Sequence, residues 1–169
     1  MKRTSWLAVA WTMLVASAVG QSIPQELWGK WIIRRELPAS TISCWSDEEA
    51  KAILGSEIEY TAESFRWKSS IEKHATAISV IVTADQFHDE NSGKGANSSQ
   101  VSFGQLGIQK EAARQVTIKH SLAVAMGATS EIPGEAVLLK SRNAIVFSVC
   151  NVYFEARRAL SPRSSKEQR

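Results

Sequence analysis

Cysteine and proline are scarce in this chain, which has only two cysteines and four prolines in 169 residues. No apolar run beyond the N-terminal region is long enough to predict a transmembrane helix. The sequence also lacks a phosphate-binding loop, a dinucleotide fingerprint and a Gly-x-Ser-x-Gly, so no motif assigns nucleotide chemistry, a cofactor or serine hydrolysis. Basic and aromatic residues are not interleaved on any predicted element, which argues against a nucleic-acid partner.

The N-terminus has the composition of a cleavable secretory signal. Lys2 and Arg3 supply a basic start to a long apolar run. Small residues at the end of this run predict cleavage near residues 18–20, so we interpret residues 1–20 as a signal peptide and the mature protein as secreted or periplasmic. An uncleaved membrane anchor is the alternative interpretation.

The rest of the chain has the length of one domain. Residues 21–158 are predicted to form a single domain that buries its own core. Residues 159–169 are rich in arginine and serine, and we interpret them as a disordered basic tail. Without Lys2 and Arg3 the formal net charge falls from +3 to +1, so the overall charge does not identify a partner.

The two cysteines are Cys44 and Cys150. In an exported chain an even pair predicts a disulfide, which here would join the N-terminal third to the last strand. The closed loop would span roughly 100 residues, for which the chain-entropy model gives about 4–5 kcal/mol of stabilisation. The alternative is a reactive thiol with a histidine base, for which the sequence has no local signature.

Residues 57–68 predict a β-hairpin. Folding this segment about Ala62-Glu63 gathers apolar and aromatic side chains on one face and opposite charges on the other, where each cross-strand pair contributes about 0.2–1 kcal/mol. A slip of one residue would turn the aromatic face to water, so the register is well specified. The expected pairs are Tyr60–Phe65, Ile58–Trp67, Glu59–Arg66 and Glu57–Lys68.

Further strands follow at short spacing. Residues 76–84 are rich in β-branched side chains, and we expect Ile78, Val80 and Val82 to point inward. Other strand segments are predicted over residues 116–124, 137–140 and 145–153. This pattern predicts an all-β fold in the form of a single antiparallel β-barrel, with a sandwich as the alternative.

Two segments interrupt the strands. Ser46-Asp47-Glu48-Glu49 is a capping-box pattern and Gly55 can end a helix, which predicts a short helix near residues 47–54. Residues 89–100 are polar, glycine-bearing and aperiodic, which predicts a mobile surface loop. Within this loop, Asn97-Ser98-Ser99 is a glycosylation sequon if the source is eukaryotic.

A family resemblance lies in the segment around the first predicted strand. Pro24 suits the first position of a short turn, and Gly29-Lys30-Trp31 follows it. A short turn followed by Gly-x-Trp resembles the N-terminal signature of the lipocalins, small secreted barrels of the calycin type whose first-strand Trp packs against an Arg at the end of the last strand. The resemblance implies a lipocalin-like barrel in which Trp31 packs against Arg157 or Arg158, a contact worth about 0.5–2 kcal/mol.

Aromatic residues in the inward phase are the candidate binding site. Tyr60, Phe65, Trp67 and Phe103 either fill the barrel or line a site for one apolar or amphipathic ligand. His120 shares the inward phase of its strand, either as a hydrogen-bonded interior histidine or as a polar contact to a ligand. We therefore expect an exported, non-catalytic binding protein that holds a small hydrophobic or amphipathic ligand inside its barrel.

Two other functions are compatible with the sequence. A cell-envelope protein-interaction module, such as an inhibitor of an extracellular enzyme, would act through a loop at residues 85–100. An enzyme would use His120 with a nearby carboxylate. His88-Asp89-Glu90 is the nearest approach to a metal-ligand cluster, but consecutive loop residues rarely supply good ligand geometry, so no metal site is predicted.

Overall fold

The computed structural model describes residues 21–38, 43–92, 100–119 and 132–159. These residues form a nine-stranded antiparallel sheet that curls into a half-barrel, which confirms the predicted all-β class. The strands are β1 (Gly29–Glu36), β2 (Glu57–Tyr60), β3 (Ser64–Trp67), β4 (Ser70–Lys73), β5 (Thr76–Thr83), β6 (Ala112–Lys119), β7 (Ala136–Ser141), β8 (Ala144–Val149) and β9 (Val152–Arg158). The helical elements are a 3₁₀ turn (Gln25–Leu27), α1 (Asp47–Ala52) and α2 (Ala84–Asn91).

Several sequence-based predictions concern other parts of the chain. The predicted signal peptide, His120, the sequon at Asn97 and residues 160–169 of the predicted tail lie outside the described residues. The first residue of that tail, Ala159, is described, and its backbone N–H donates to the carbonyl oxygen of Lys30 at 2.8 Å. Pairing with the first strand therefore continues one residue past the end of β9.

The two edge strands of the sheet are consecutive in the chain. The strand order is β4-β3-β2-β1-β9-β8-β7-β6-β5 and every neighbouring pair is antiparallel, so β4 and β5 run in the same direction. Only His74 and Ala75 separate them, a distance of at most about 11 Å from the last residue of β4 to the first of β5. His74 has a left-handed φ of 59°, which bends the chain here. The connection therefore brings the two edges of the sheet close together at this point, which is consistent with the curled shape.

The predicted register of the β2–β3 hairpin is confirmed for three of its four pairs. These are Ile58–Trp67, Glu59–Arg66 and Tyr60–Phe65. Instead of pairing with Lys68, the carboxylate of Glu57 lies 2.7 Å from the Nζ of Lys30 on β1. Lys68 follows β3 with a left-handed φ of 51°, and its Nζ lies 5.3 Å from the ring centroid of Trp67. Lys30 of the neighbouring strand thus pairs with Glu57 in place of Lys68, which the hairpin alone predicted as its partner.

Hydrophobic clusters lie on both faces of the sheet. Val146 of β8 belongs to one cluster, whereas its neighbours Ile145 and Phe147 belong to the other, because successive strand side chains point to opposite faces. The cluster that contains Ile145 and Phe147 also contains residues of β3 and β6. These two strands are far apart in the sheet, and only the concave face of a curled sheet brings them together, so this cluster lies on the concave face. The concave cluster includes Trp31, Ile58, Tyr60, Phe65, Trp67, Phe147 and Phe154. The convex cluster includes Phe87, Val101, Phe103, Leu106, Leu138, Val146 and Tyr153.

The burial of β5 differs from the predicted alternation. Ala77 and Val82 are buried, whereas Val80 and Ile81 are 47% and 63% exposed, so the expectation that Ile78, Val80 and Val82 all point inward is wrong. Ala77 packs in the concave cluster and Val82 in the convex cluster. The reason is that β5 is an edge strand, and different layers of the fold cover its two ends.

The predicted short helix is observed as α1, which ends two residues before the predicted boundary. The capping box between Ser46 and Glu49 is formed in both directions. Ala50 and Ile53 are buried in the concave cluster, so the helix covers the barrel interior rather than its outer wall.

A second helix, α2, occupies the start of the segment predicted as an interaction loop at residues 85–100. Its N-terminus is a second capping box, in which the side chains of Thr83 and Gln86 each accept from the backbone N–H of the other. Phe87 is buried on the convex face, with its ring centroid 5.2 Å from that of Phe103. The loop prediction is therefore wrong for residues 85–91, where a cap and one aromatic anchor hold a helix against the sheet.

Candidate functional site

The predicted disulfide between Cys44 and Cys150 is formed, with the two Cα atoms 5.2 Å apart. Cys150 and Asn151 have left-handed φ angles of 51° and 63°, and they make the two-residue turn between β8 and β9. This turn divides the segment 145–153, which the sequence predicted as one strand. The disulfide fastens the segment before α1 to this turn, and it is compatible with an oxidising extracellular or periplasmic location.

Three of the predicted ligand-binding residues lie together on the concave face. Tyr60, Phe65 and Trp67 are 1%, 2% and 9% exposed, and the ring centroids of Tyr60 and Phe65 are 5.4 Å apart. The Tyr60 hydroxyl donates to the carbonyl oxygen of Gly134 at 2.6 Å. Burial raises the pKa of Tyr60, so this hydroxyl keeps its proton. The three rings are part of the packed concave cluster.

Phe103 does not lie with these three residues. It is buried on the convex face against Phe87 of α2, so its expected place in the barrel interior is wrong. The cause is that residues 101–108 fold back over the outer face as a turn, in which the backbone N–H of Ile108 donates to the carbonyl oxygen of Phe103 at 2.8 Å. The fifth candidate, His120, lies outside the described residues.

Arg158, rather than Arg157, packs on the first-strand tryptophan. Its Cζ lies 4.2 Å from the ring centroid of the buried Trp31. The same guanidinium donates to the carbonyl oxygen of Glu26 at 2.6 Å and to that of Trp28. Arg157 points to the other face of β9, because alternate residues of a strand face opposite ways. Arg158 therefore joins the last strand to the 3₁₀ turn and the first strand.

The N-terminal segment pairs with β5 at a single point. The backbone of Gln21 donates to Ala77 at 3.1 Å and accepts from it at 2.7 Å, which forms an isolated antiparallel bridge. Residues two apart on a strand direct their N–H and C=O groups to the same edge, so Ser79 and Ile81 point theirs to the edge that Gln21 uses. No described residue makes a backbone hydrogen bond to Ser79 or Ile81 there. This part of β5 is an open strand edge.

A groove of about 490 Å³ lies beside this open edge. Residues 21–25 and Trp28 line one side of it, and residues 79–81 line the other. Val80 and Ile81 are two of the most exposed large apolar side chains in the described residues. The groove thus offers unpaired backbone groups and apolar side chains at the same place.

A buried carboxylate lies on the convex face. Glu155 of β9 is 1% exposed, and its oxygens accept from Lys140 Nζ at 2.6 Å, Arg157 Nε at 2.6 Å and Arg35 Nη2 at 3.1 Å. Lys140 also donates to the carbonyl oxygen of Leu106 at 2.9 Å. Burial by itself raises the pKa of Glu155, but the hydrogen bonds from the three cations outweigh it and lower the pKa to about 2.

The sequence carried a signal for this cluster that our reading of it missed. Glu155 lies in the otherwise apolar segment Val152–Ala156, and a carboxylate in such a segment is nearly always paired when it is buried. Two of its partners, Arg35 and Lys140, come from β1 and β7. Their distance in the sequence explains why the cluster could not be assembled without the fold.

The described residues give few groups for metal chemistry. Among them, no set of three or more His, Cys, Asp or Glu side chains is placed to hold a metal ion. His88, from the predicted nearest approach to such a set, has its Nδ1 3.2 Å from the carbonyl oxygen of Val101 and 3.1 Å from Ser92 Oγ. Its ring therefore links α2 to the turn beside it. No helix in the described ranges is long and apolar enough to cross a membrane.

Comparison with known proteins returns no relative of this chain. No protein-family model, no curated protein and no solved structure matches it. The lipocalin-like resemblance therefore stays a prediction. The features that bear on function are the concave aromatic cluster, the open edge of β5 and the cations around Glu155.

Proposed function

We propose that this protein is a non-catalytic binding protein of the extracellular space or the periplasm. The N-terminal signal pattern and the Cys44–Cys150 disulfide support this location. The binding role rests on the open edge of β5, because a strand edge that is unpaired and apolar is a template for an incoming strand.

The ligand that the geometry favours is an extended apolar segment of another protein, which adds to β5 as a strand. Gln21 already forms a one-residue antiparallel bridge with this edge at Ala77, and this bridge supports the proposal that a longer extended segment pairs there. The backbone groups of Ser79 and Ile81 continue the same edge and have no backbone partner among the described residues. Val80 and Ile81 supply apolar contact surface. This keeps the role of a cell-envelope protein-interaction module and moves its contact site from residues 85–100 to β5.

Site-specific photo-crosslinking tests this proposal. One variant carries a photo-crosslinking amino acid at Val80, and the matched control carries it at Ile71 on the other edge strand, since the two side chains are 47% and 49% exposed. In cells of the source, we expect one protein to be crosslinked from Val80 and not from Ile71. We also expect Ile81→Lys to abolish that crosslink. Equal crosslinking from both positions, or an unchanged crosslink in Ile81→Lys, would contradict strand addition at β5.

A small hydrophobic or amphipathic ligand on the concave face is the second candidate. It is favoured by the gathering of Tyr60, Phe65 and Trp67 in one cluster, since aromatic walls are usual in sites for apolar ligands. These rings are buried against protein atoms, and Trp67 is the most exposed of the three. A ligand would therefore enter beside Trp67.

Native mass spectrometry of the protein purified from its own host tests this second candidate. The spectra are recorded before and after extraction with a denaturing organic solvent. A reproducible extra mass that disappears on extraction is the expected result, and it would also give the ligand's chemical class. A bare mass in every preparation would show that the concave cluster is a filled core.

A further inference from the structure

The cations around Glu155 exceed the charge that they neutralise. Three cationic side chains, Arg35, Lys140 and Arg157, contact one carboxylate, which leaves a formal excess of two positive charges. A buried carboxylate needs a cationic partner, because a buried charge without one is strongly destabilising. One cation is enough to neutralise Glu155, so its burial does not by itself require the other two.

The three cations differ in their access to solvent. The side chain of Lys140 is 15% exposed, and it also donates to the carbonyl oxygen of Leu106, so it lies inside the fold. The side chains of Arg35 and Arg157 are 58% and 50% exposed. Each of these arginines contacts Glu155 through one nitrogen, Nη2 in Arg35 and Nε in Arg157. The structure gives their other nitrogens no hydrogen-bond partner among the described residues.

The backbone places both arginines on the same part of the convex face. Arg157 follows Glu155 by two residues on β9, so both side chains point the same way. On β1, the register shifts between Ile33 and Arg35, which puts Arg35 opposite Glu155. Without this bulge Arg34 would occupy that position, because Ile33 pairs with Ala156. The bulge, the strand alternation and the shared carboxylate therefore hold two guanidinium groups side by side.

We propose that Arg35 and Arg157 bind a doubly charged oxyanion group, a phosphate or a sulfate, on the convex face. Glu155 is a positioning residue, because it accepts a hydrogen bond from each of the two guanidinium groups. Lys140 is a second positioning residue, because it holds the Glu155 carboxylate. The planar fork of each guanidinium suits two parallel hydrogen bonds to an oxyanion. The excess of two positive charges matches a dianion. This site is separate from the β5 edge and from the concave face, so its test is independent of the proposed function.

Titration of the disulfide-bonded, exported protein with inorganic phosphate and with sulfate, at constant ionic strength, tests the site. Binding is followed by the side-chain Nε–Hε resonances of the arginines in NMR spectra. We expect saturable shifts for Arg35 and Arg157, and an affinity at least about tenfold lower in Arg35→Gln and in Arg157→Gln, because each loses charge-assisted hydrogen bonds. The matched control is Arg66→Gln, which removes an equally exposed cation that pairs with Glu59.

A second pair of variants controls for misfolding, because the Gln variants also remove a cationic partner of Glu155. Arg35→Lys and Arg157→Lys keep a cation beside Glu155 but remove the fork, so we expect them to fold and to bind more weakly than the wild type. Equal affinity in the wild type, the Gln variants, the Lys variants and Arg66→Gln would overturn the proposal. So would the absence of saturable binding in both the ion and the vesicle experiments.

Vesicles distinguish a lipid headgroup from a free ion. The protein is sedimented with vesicles of phosphatidylcholine alone and with vesicles that also contain phosphatidic acid. Arg35- and Arg157-dependent binding to the phosphatidic acid vesicles, with free phosphate as a weak competitor, would assign the site to a lipid phosphate. Saturable binding of the ions without vesicle binding would assign it to a soluble phosphate or sulfate.

Discussion

The guanidinium of Arg158 lies over the indole ring of Trp31, with its Cζ 4.2 Å from the ring centroid. Arg158 comes from the end of β9 and Trp31 from the start of β1. The indole N–H donates to the carbonyl oxygen of Leu27 in the 3₁₀ turn at 2.6 Å. The first strand, the last strand and the 3₁₀ turn before the first strand therefore meet at this pair.

Removing the Arg158 side chain should destabilise the fold. In Arg158→Ala the cation–π contact and the hydrogen bonds to the 3₁₀ turn are lost, and we expect the free energy of unfolding to fall by about 2–3 kcal/mol. Arg142→Ala, in the exposed β7–β8 turn, is the control, with an expected change below about 0.5 kcal/mol. Urea denaturation measures both, and equal stability of the two variants would show that the Trp31 contact contributes nothing.

Gly134 should tolerate no side chain. It has a φ of 86°, and a Cβ there would lie 2.6 Å from the Tyr60 hydroxyl oxygen and 2.9 Å from Ile58 Cδ1. We expect Gly134→Ala to lower the free energy of unfolding by about 3 kcal/mol, from left-handed strain and overpacking together.

Gly55 is the matched control for Gly134. Its φ is 81°, but a Cβ there would meet no atom within 4 Å. Gly55→Ala should therefore lose only about 1–2 kcal/mol from the left-handed backbone. Thermal or urea unfolding of the two variants separates backbone strain from overpacking, and equal losses would show that Tyr60 moves aside without penalty.

Stability should fall at acidic pH through Glu155. Burial acts to raise the pKa of Glu155, but the hydrogen bonds from Lys140, Arg35 and Arg157 outweigh this effect. They lower the pKa to about 2 in the folded protein, from an ordinary value of 4.5. The unfolded state therefore binds the proton more tightly. The contribution of Glu155 to stability is complete above about pH 4.5 and is lost as the pH falls from about 4.5 to about 2.

Glu155→Gln tests this pH dependence. At neutral pH we expect a loss of about 3 kcal/mol, because three cations lose a buried anionic partner. We also expect a shallower decline in stability below about pH 4.5. Urea denaturation across this pH range measures both effects. Glu59→Gln, which breaks only the surface pair with Arg66, should lose less than about 1 kcal/mol. An unchanged acid decline in Glu155→Gln would refute the assignment.

The disulfide should contribute a large part of the stability. Its cysteines are 106 residues apart in the sequence, and the chain-entropy model gives about 4–5 kcal/mol for a loop of this length. Cys44→Ser, Cys150→Ser and the double variant should lose nearly the same amount in urea denaturation, since each removes the same crosslink. If the single variants were markedly less stable than the double variant, the lone thiol rather than the lost crosslink would be the cause.

Local pairings were predictable because their partners are close in the chain. The β2–β3 register follows from residues within one short segment, where folding about Ala62-Glu63 matches apolar or aromatic side chains with each other and opposite charges with each other. The capping box of α1 likewise depends on Ser46 and Glu49 alone. The disulfide followed from there being only two cysteines in a chain whose N-terminal sequence predicts export.

Features that depend on distant strands were not predictable. Val80 and Ile81 have the composition of core residues, yet they are exposed because β5 is an edge strand. Phe103 was expected in the interior with the other inward aromatic residues, but its segment folds as a turn on the outer face. The helix α2 was missed because its one buried anchor, Phe87, is surrounded by polar residues.

By itself, the sequence determined the all-β class, the hairpin register, the first helix and the disulfide, since each depends on local alternation, a local cap or a unique pair. Only the tertiary structure decided which strands form the edges, which apolar residues stay exposed and which cations surround Glu155. The physical reason is that strand order and the bulge in β1 bring together groups far apart in the chain. No local pattern encodes the distance between Arg35, Lys140 and Glu155.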